Sequence, residues 1–452
     1  MGRKMVPQET RAMLLRLATW ALLAAAVVYL VVVGLELVHQ AADWSTLHRD
    51  RDFPSYYLAA QRLLRGQDAY SGLQEAARQL GIADYFIDAA VNPPTFTVAA
   101  VWLALFPYVV SWGLWQVLSL AALILILVLL FREAGPTFSP VARLRLTCAA
   151  LLFPPLTFHL LYAHTELFLL LALVGAWLLL RRGKEIPAGL LLGLAAAIRI
   201  YPLFLLLYLL LRRAWKALWA AVLGGLAWAG LSLLVAGPGS FFHYLTTLRG
   251  EVSTLYGRWG NFSLWGSVHK LASIWPALGA RPLLRDGLAL VLSAGVLLLT
   301  LWLARRCRPS HTRRVERPTP SLPGPDSSKL TARRWEADWA YGLFIVGALL
   351  ASPLSWVYYQ VLLYLPLFFL VRALHQDEAK DVSLQVQPTA WRRPAIRALL
   401  LVALLASLAP LLGGLLHLPA GLGHALAFAP TLTLVGVYGA LIVVRDAAGP
   451  RK

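Results

Sequence analysis

Asp52 stands where acid–base chemistry could be done beside a phosphate. It falls in Arg51-Asp52-Phe53-Pro54-Ser55-Tyr56-Tyr57, just past the first long apolar run, which ends near Val38. Asp50 and Asp52 lie two apart, flanked by Arg49 and Arg51, with aromatic residues behind them. A carboxylate there can take the proton of a hydroxyl, and Tyr56 and Tyr57 can stack on sugar rings. The plainer account is a solvated loop of mixed charge, because an ionisable group next to a membrane raises a functional hypothesis and no more. Arg199, in Arg199-Ile200-Tyr201-Pro202, offers planar, bidentate recognition of a phosphate. Asn92, His164, Glu166, Asn261 and Ser352-Pro353-Leu354-Ser355-Trp356 add polar groups to apolar surroundings. Singly, these have bland explanations: a polar turn, a snorkelling arginine, a helix cap or a helix break.

The elements that must position them are membrane helices. Of 452 residues, 59% are hydrophobic and 14% charged, and the mean hydropathy is +0.65. Soluble domains hold about 45–50% apolar and about 25% charged residues. The composition therefore predicts an all-α polytopic membrane protein. The net charge of +19, from 41 basic and 22 acidic residues, reads as topology. It is spread over short loops, which argues against nucleic acid as a partner. Cys148 and Cys307 give neither a disulfide framework nor metal-ligand spacing. The run Met13 to Val38 is too long for a cleavable signal peptide and lacks a small-residue cleavage site. With no Walker-type phosphate loop, an ATP-driven pump is disfavoured.

Arg3, Lys4 and Arg11 precede the first span, which places the N-terminus in the cytoplasm and Asp52 outside. Residues 39–92 then form a first extracytoplasmic loop. It carries two helical pieces, Tyr56 to Arg65 and Leu73 to Leu80, short enough to lie apolar face down on the membrane surface. Thr95–Phe106 is only 12 residues long: if it crosses, Arg132, Arg143 and Arg145 fall outside, and if it dips into the interface they fall inside, which the positive-inside rule favours. Pro187–Ile198 and Pro202–Leu211 make a hairpin whose tip, Arg199 to Pro202, lies on the outer side. Short, Pro-interrupted segments of this kind line cavities. Residues 237–281 are a second large extracytoplasmic loop, and 305–335 a flexible, basic, Pro-rich cytoplasmic linker. The expected total is about 12 crossings in the cell membrane, with both termini cytoplasmic. Asp52, Asn92, His164, Glu166, Arg199, Asn261 and Ser352 to Trp356 then share the outer face. That convergence suits group transfer from a lipid phosphate.

The chain resembles the polyprenol-phosphate-dependent glycosyltransferases of family 87, within the GT-C membrane fold. The resemblance rests on Asp52-Phe53 followed by Tyr56-Tyr57, on Asn92-Pro93-Pro94, and on Gly189–Arg213 with its basic-x-x-Pro core. Asn261-Phe262-Ser263 and Ser352-Pro353-Leu354-Ser355-Trp356 complete it, in order over about 300 residues. It implies an inverting mannosyl transfer from a polyprenyl-phosphate-linked sugar donor to an extracytoplasmic glycan or glycolipid acceptor at the lipid bilayer. Asp52 would be the general base, and Arg199 with Tyr201 would meet the donor phosphate. Tyr56, Tyr57, Asn92, His164, Glu166, Asn261, Ser263, Ser355, Trp356 and Tyr358 would bind substrate. No cofactor is expected, and Asp50 with Asp52 is a thin ligand set for a divalent metal. The chain departs from the family in having Arg199 for the usual Lys and Ala163-His164-Thr165-Glu166 for Gly-Gln-x-x-Asn. Tyr358, Tyr359 and Gln360 stand where relatives often carry His. A lipid or solute transporter or flippase is the competing class. It predicts polar residues strung through the membrane depth and repeat symmetry, and neither is seen.

Overall fold

The computed structural model describes residues 8–42, 52–79, 92–306, 326–381, 392–415 and 420–448. Asp50, its flanking arginines and residues 307–325 of the expected linker lie outside them. Among the described residues the regular structure is helical, apart from one isolated bridge between Asn261 and Trp356. The first helices are α1 (Gln8–Ala42), α2 (Phe53–Leu64), α3 (Leu73–Gln79), α4 (Pro94–Ala99) and α5 (Tyr108–Ala134). They continue as α6 (Pro140–Leu151), α7 (Pro154–Tyr162), α8 (Glu166–Arg181), α9 (Glu185–Ile198), α10 (Phe204–Leu211) and α11 (Trp215–Leu255). The last are α12 (Leu264–Ile274), α13 (Pro276–Gly279), α14 (Pro282–Arg305), α15 (Asp326–Ala351), α16 (Tyr364–Asp381), α17 (Arg392–Leu415) and α18 (Ala420–Ala448). Five helices among the described residues are long and apolar enough to cross a membrane, or six if the bent pair α6 and α7 is one span. This is an all-α membrane protein. α15 starts at Asp326, inside the stretch assigned to the linker.

α2 begins where the sequence turns from polar to aromatic. The Asp52 carbonyl accepts from Ser55 N at 3.0 Å and from the Ser55 hydroxyl at 2.6 Å. Pro54 sits in the first turn, where its missing N–H loses nothing. Nine of the twelve residues of α2 are buried, so it packs inside the protein and does not lie on the membrane surface as its apolar spacing suggested. Phe53, Tyr56 and Tyr57 pack with Phe96, Tyr108, Trp112 and Trp115 in one aromatic cluster. Thr95–Phe106 breaks into α4 and a 3₁₀ turn, Val101–Leu105.

The hairpin is built by proline. Pro202 has no N–H with which to continue the α9 ladder, and Arg199 is extended, with φ −144° and ψ 143°. The chain resumes as a 3₁₀ turn, Tyr201–Leu203, and then α10. α9 lies hard against α11, where a Cβ on Gly193 would stand 2.7 Å from the Ala221 carbonyl oxygen. Only glycine permits that approach. α11 kinks at Gly237 (φ 75°, ψ 158°), before Pro238, and stays helical to Leu255. The part of the expected loop nearest the membrane is thus a bent helix. Ala69 N donates to the Ser240 hydroxyl at 3.3 Å, and Asp68 pairs with His243, which fastens this arm to the loop after α2.

The main apolar core lies between α8, α15 and the segment from Val357 through α16, around Trp177, Trp339, Tyr341 and Phe369. At the far end of α8, Arg181 pairs with Asp338 and reaches Glu133 at 3.0 Å. Trp177 donates to Asp338 at 2.8 Å.

Candidate active site

Four elements deliver ionisable groups to one place. Asp52 comes from the residue before α2, His159 from α7, Thr165 and Glu166 from the start of α8, and Arg199 from the hairpin tip. His164 sits in the tight turn between α7 and α8. Ala163 caps α7 in the left-handed region, φ 55°, and Trp115 donates its indole N–H to the His164 carbonyl at 3.2 Å.

The Asp52 carboxylate is the hub. Its Oδ2 lies 3.0 Å from His164 Nδ1 and 3.7 Å from Arg199 Nη2. The same oxygen accepts from the Tyr56 hydroxyl at 3.3 Å. Burial favours the neutral acid, but His164, Arg199 and Tyr56 outweigh it, so the Asp52 pKa falls below the usual carboxylate value. The carboxylate is therefore ionised at neutral pH, and 38% of its side chain remains open to solvent. Burial and the Asp52 charge push the Tyr56 phenol well above its ordinary range, which keeps it a donor.

Arg199 is buried and shared. Its Nη2 lies 3.5 Å from Glu166 Oε1, its Nε donates to the Thr165 hydroxyl at 3.4 Å, and its guanidinium stands 5.3 Å from the centre of the Tyr359 ring. Behind it, His159 Nδ1 lies 3.9 Å from Glu166 Oε2, both side chains fully buried. Arg199 also forms the polar head of a cavity of about 470 Å³, walled by Ile200, Leu203, Phe204, Pro353 and Leu354. Tyr201, Tyr244 and Tyr359 line it as well, and the buried Tyr201 hydroxyl has no hydrogen-bond partner among the described residues. Ile200 and Leu203 are exposed, so the cavity wall continues onto the apolar outside of the protein.

His164 is clamped by rings. It stacks on Tyr358 with centroids 3.2 Å apart and on Tyr162 at 5.8 Å, while Tyr358 in turn parallels Trp356 at 6.4 Å. Tyr358 and Trp356 thus act on the hub through His164. Asn92 is buried, and its carbonyl accepts from the Tyr70 hydroxyl at 2.7 Å.

Other expected site residues serve the framework. Asn261 donates from Nδ2 to the carbonyls of Tyr256 at 3.1 Å and Pro353 at 2.9 Å. Its Oδ1 accepts from the backbone N–H groups of Ser263 at 3.2 Å and Ser355 at 2.9 Å. Ser263 caps α12 by accepting from Gly266 N at 3.0 Å and donates to the Pro353 carbonyl at 3.1 Å. The Ser355 hydroxyl is buried without a partner among the described residues. Tyr57 donates to the Phe106 carbonyl at 3.0 Å. Among the described residues no three His, Cys, Asp or Glu side chains come together as metal ligands.

His159, Thr165 and Tyr359 join the site without having been expected there. His159 falls in an apolar helix and signals nothing by spacing. Tyr359 follows Tyr358, and only the 3₁₀ turn Val357–Leu363 puts the two rings on either flank of the hub.

The chain is thus an all-helical membrane protein in which carboxylate, imidazole and guanidinium groups meet beside an apolar cavity. The profile of glycosyltransferase family 87 matches residues 90–321, just over half of the chain, and the chain belongs to that family. The matched stretch holds Asn92, His164, Glu166, Arg199, Tyr201, Asn261 and Ser263, while Asp52 and Ser352 to Trp356 lie outside it. Neither a curated protein nor a solved structure matches the chain.

Proposed function

We propose that this glycosyltransferase moves mannose from a polyprenyl-phosphate carrier to a glycan or glycolipid acceptor outside the cytoplasm, with inversion at the anomeric carbon. The observation that carries the proposal is the double placement of Arg199, against the Asp52 carboxylate on one side and at the head of an apolar cavity on the other. A guanidinium binds phosphate with two parallel hydrogen bonds, and apolar walls suit the first isoprene units. The rest of the lipid would leave past Ile200 and Leu203 into the bilayer. We further propose a GT-C-type fold with about 12 crossings, the site on the outer face and both termini cytoplasmic.

In the proposed reaction Asp52 faces the acceptor hydroxyl and draws off its proton. The hydroxyl oxygen bonds to the anomeric carbon as the bond from that carbon to the phosphate oxygen breaks. The phosphate leaves with the electron pair, and Arg199 and Tyr201 hold its growing charge. His164, at 3.0 Å, orients the Asp52 carboxylate and shares the proton. Attack from the face opposite the departing phosphate inverts the anomeric carbon. The reaction as proposed uses no cofactor.

The test is Asp52→Asn, which keeps the size of the side chain but cannot accept the proton. The purified variant is expected to bind the lipid donor and to lose transfer by about a hundred- to ten-thousandfold, the usual worth of a general base. Transfer close to that of the parent would move the base elsewhere.

A further inference from the structure

Glu166 is the buried charge that the transfer chemistry leaves unused. Its two oxygens have no hydrogen-bond partner among the described residues. Arg199 Nη2 at 3.5 Å and His159 Nδ1 at 3.9 Å are its nearest charged or chargeable neighbours. Asp52, just before α2, and Tyr56, in its first turns, act on the same charge, as do His164 from the turn before α8 and Tyr201 in the hairpin tip. Tyr358 and Tyr359 face it from the 3₁₀ turn.

Asp52 and Glu166 share Arg199. A lipid-phosphate sugar is a phosphodiester and brings a further negative charge to the same guanidinium. An added negative charge beside a buried carboxylate is costly, so one of the anions must be neutralised as the donor enters. Asp52 is the wrong one: it is partly open to solvent, is bonded to Tyr56 and must be ionised to act as the base. Glu166 is fully buried and has no hydrogen bond among the described residues to hold its charge once the phosphate takes Arg199 from it.

We propose that the Glu166–His159 pair takes up one proton when the donor phosphate docks on Arg199, so that the anion enters at constant site charge. This rests on the donor assignment above and goes beyond it. It makes donor binding pH-dependent through a residue that touches neither the sugar nor the acceptor.

Titration calorimetry of the full chain in nanodiscs with farnesyl phosphomannose, in two buffers of different ionisation enthalpy, reads the proton count directly. The parent is expected to take up one proton per lipid at neutral pH, and its affinity to fall about tenfold per pH unit on the alkaline side. Glu166→Gln is expected to bind with no proton uptake and a flat pH profile. His164→Gln is expected to keep the uptake. Binding to the parent without uptake overturns the proposal, and that measurement stands even where a variant does not fold. Uptake that survives Glu166→Gln, or that disappears in His164→Gln, also overturns it. A parent that does not bind the lipid at any pH removes the donor assignment itself, and the proposal with it.

Discussion

Arg199 makes contacts that an ammonium could not reproduce. Its Nε reaches Thr165 while Nη2 lies between Asp52 and Glu166, and its plane rests against Tyr359. A lysine at this position would bring the charge without the fork or the flat face. Arg199→Ala is expected to raise the Michaelis constant for the lipid donor about tenfold or more, since losing a charged phosphate partner costs about 1.5–3 kcal/mol. The constant for the acceptor should change much less. Arg199→Lys should recover part of the loss. Unchanged donor kinetics in a folded Arg199→Ala protein would return the residue to a structural role. The charged members of the site, Asp52, Glu166 and Arg199, were legible in the sequence because charge in an apolar chain stands out. Histidine was legible where it sat in a turn, as His164, and illegible within an apolar helix, as His159. The stack of His164 on Tyr358 joins two distant stretches of the chain. The imidazole arrives from the turn before α8, and Tyr358, two residues after Trp356, supplies the ring that it leans on.

At the scale of elements, the loops around the site are tied together by a few side chains. Asn261 alone joins four backbone groups, from Tyr256, Ser263, Pro353 and Ser355. The Phe262 N–H extends the joint with a 2.7 Å bond to the Ser355 carbonyl. The joint holds the start of the 3₁₀ turn, and through it Tyr358 and Tyr359 on the flanks of the hub. Asn261→Ala takes the partner from the N–H groups of Ser263 and Ser355 and from the Tyr256 carbonyl, while the Pro353 carbonyl keeps the Ser263 hydroxyl. It is expected to lower stability by about 2–4 kcal/mol, read as a fall in melting temperature, and to lower turnover through the loosened His164 clamp. A variant that melts like the parent would deny Asn261 this framework role. Its type and its place in an Asn-Phe-Ser motif suggested a substrate ligand, because a polar side chain that serves backbone looks the same in sequence as one that serves sugar. The hairpin was legible to within a residue or two, since Pro202 and the flanking arginines bound it. The arm after Gly237 was not, because Gly-Pro marks a kink as readily as a helix end and the polar residues beyond it resemble a loop.

At the scale of the whole molecule, α8 and α9 hold charge at both of their ends. α8 carries Glu166 at its first residue and Arg181 at its last, about 22 Å apart at 1.5 Å per residue. α9 repeats the arrangement, with Lys184 before it and Arg199 after it. One end therefore gathers the acid–base site, and the other gathers Arg181, Arg182, Glu133 and Asp338. The spacing approaches the thickness of a hydrocarbon core of about 30 Å, which suits two ends on opposite faces. On the proposed topology the Arg181 end is the cytoplasmic one. Trp259, exposed in the loop before α12, and Arg182, exposed after α8, report the two faces. In a protein with Cys148 and Cys307 replaced by serine, Trp259→Cys is expected to react with a membrane-impermeant maleimide in intact cells. Arg182→Cys is expected to react only after the cells are permeabilised. The reverse pattern would put the site on the cytoplasmic face, where soluble nucleotide sugars are at hand, and would remove the reason for a lipid-linked donor.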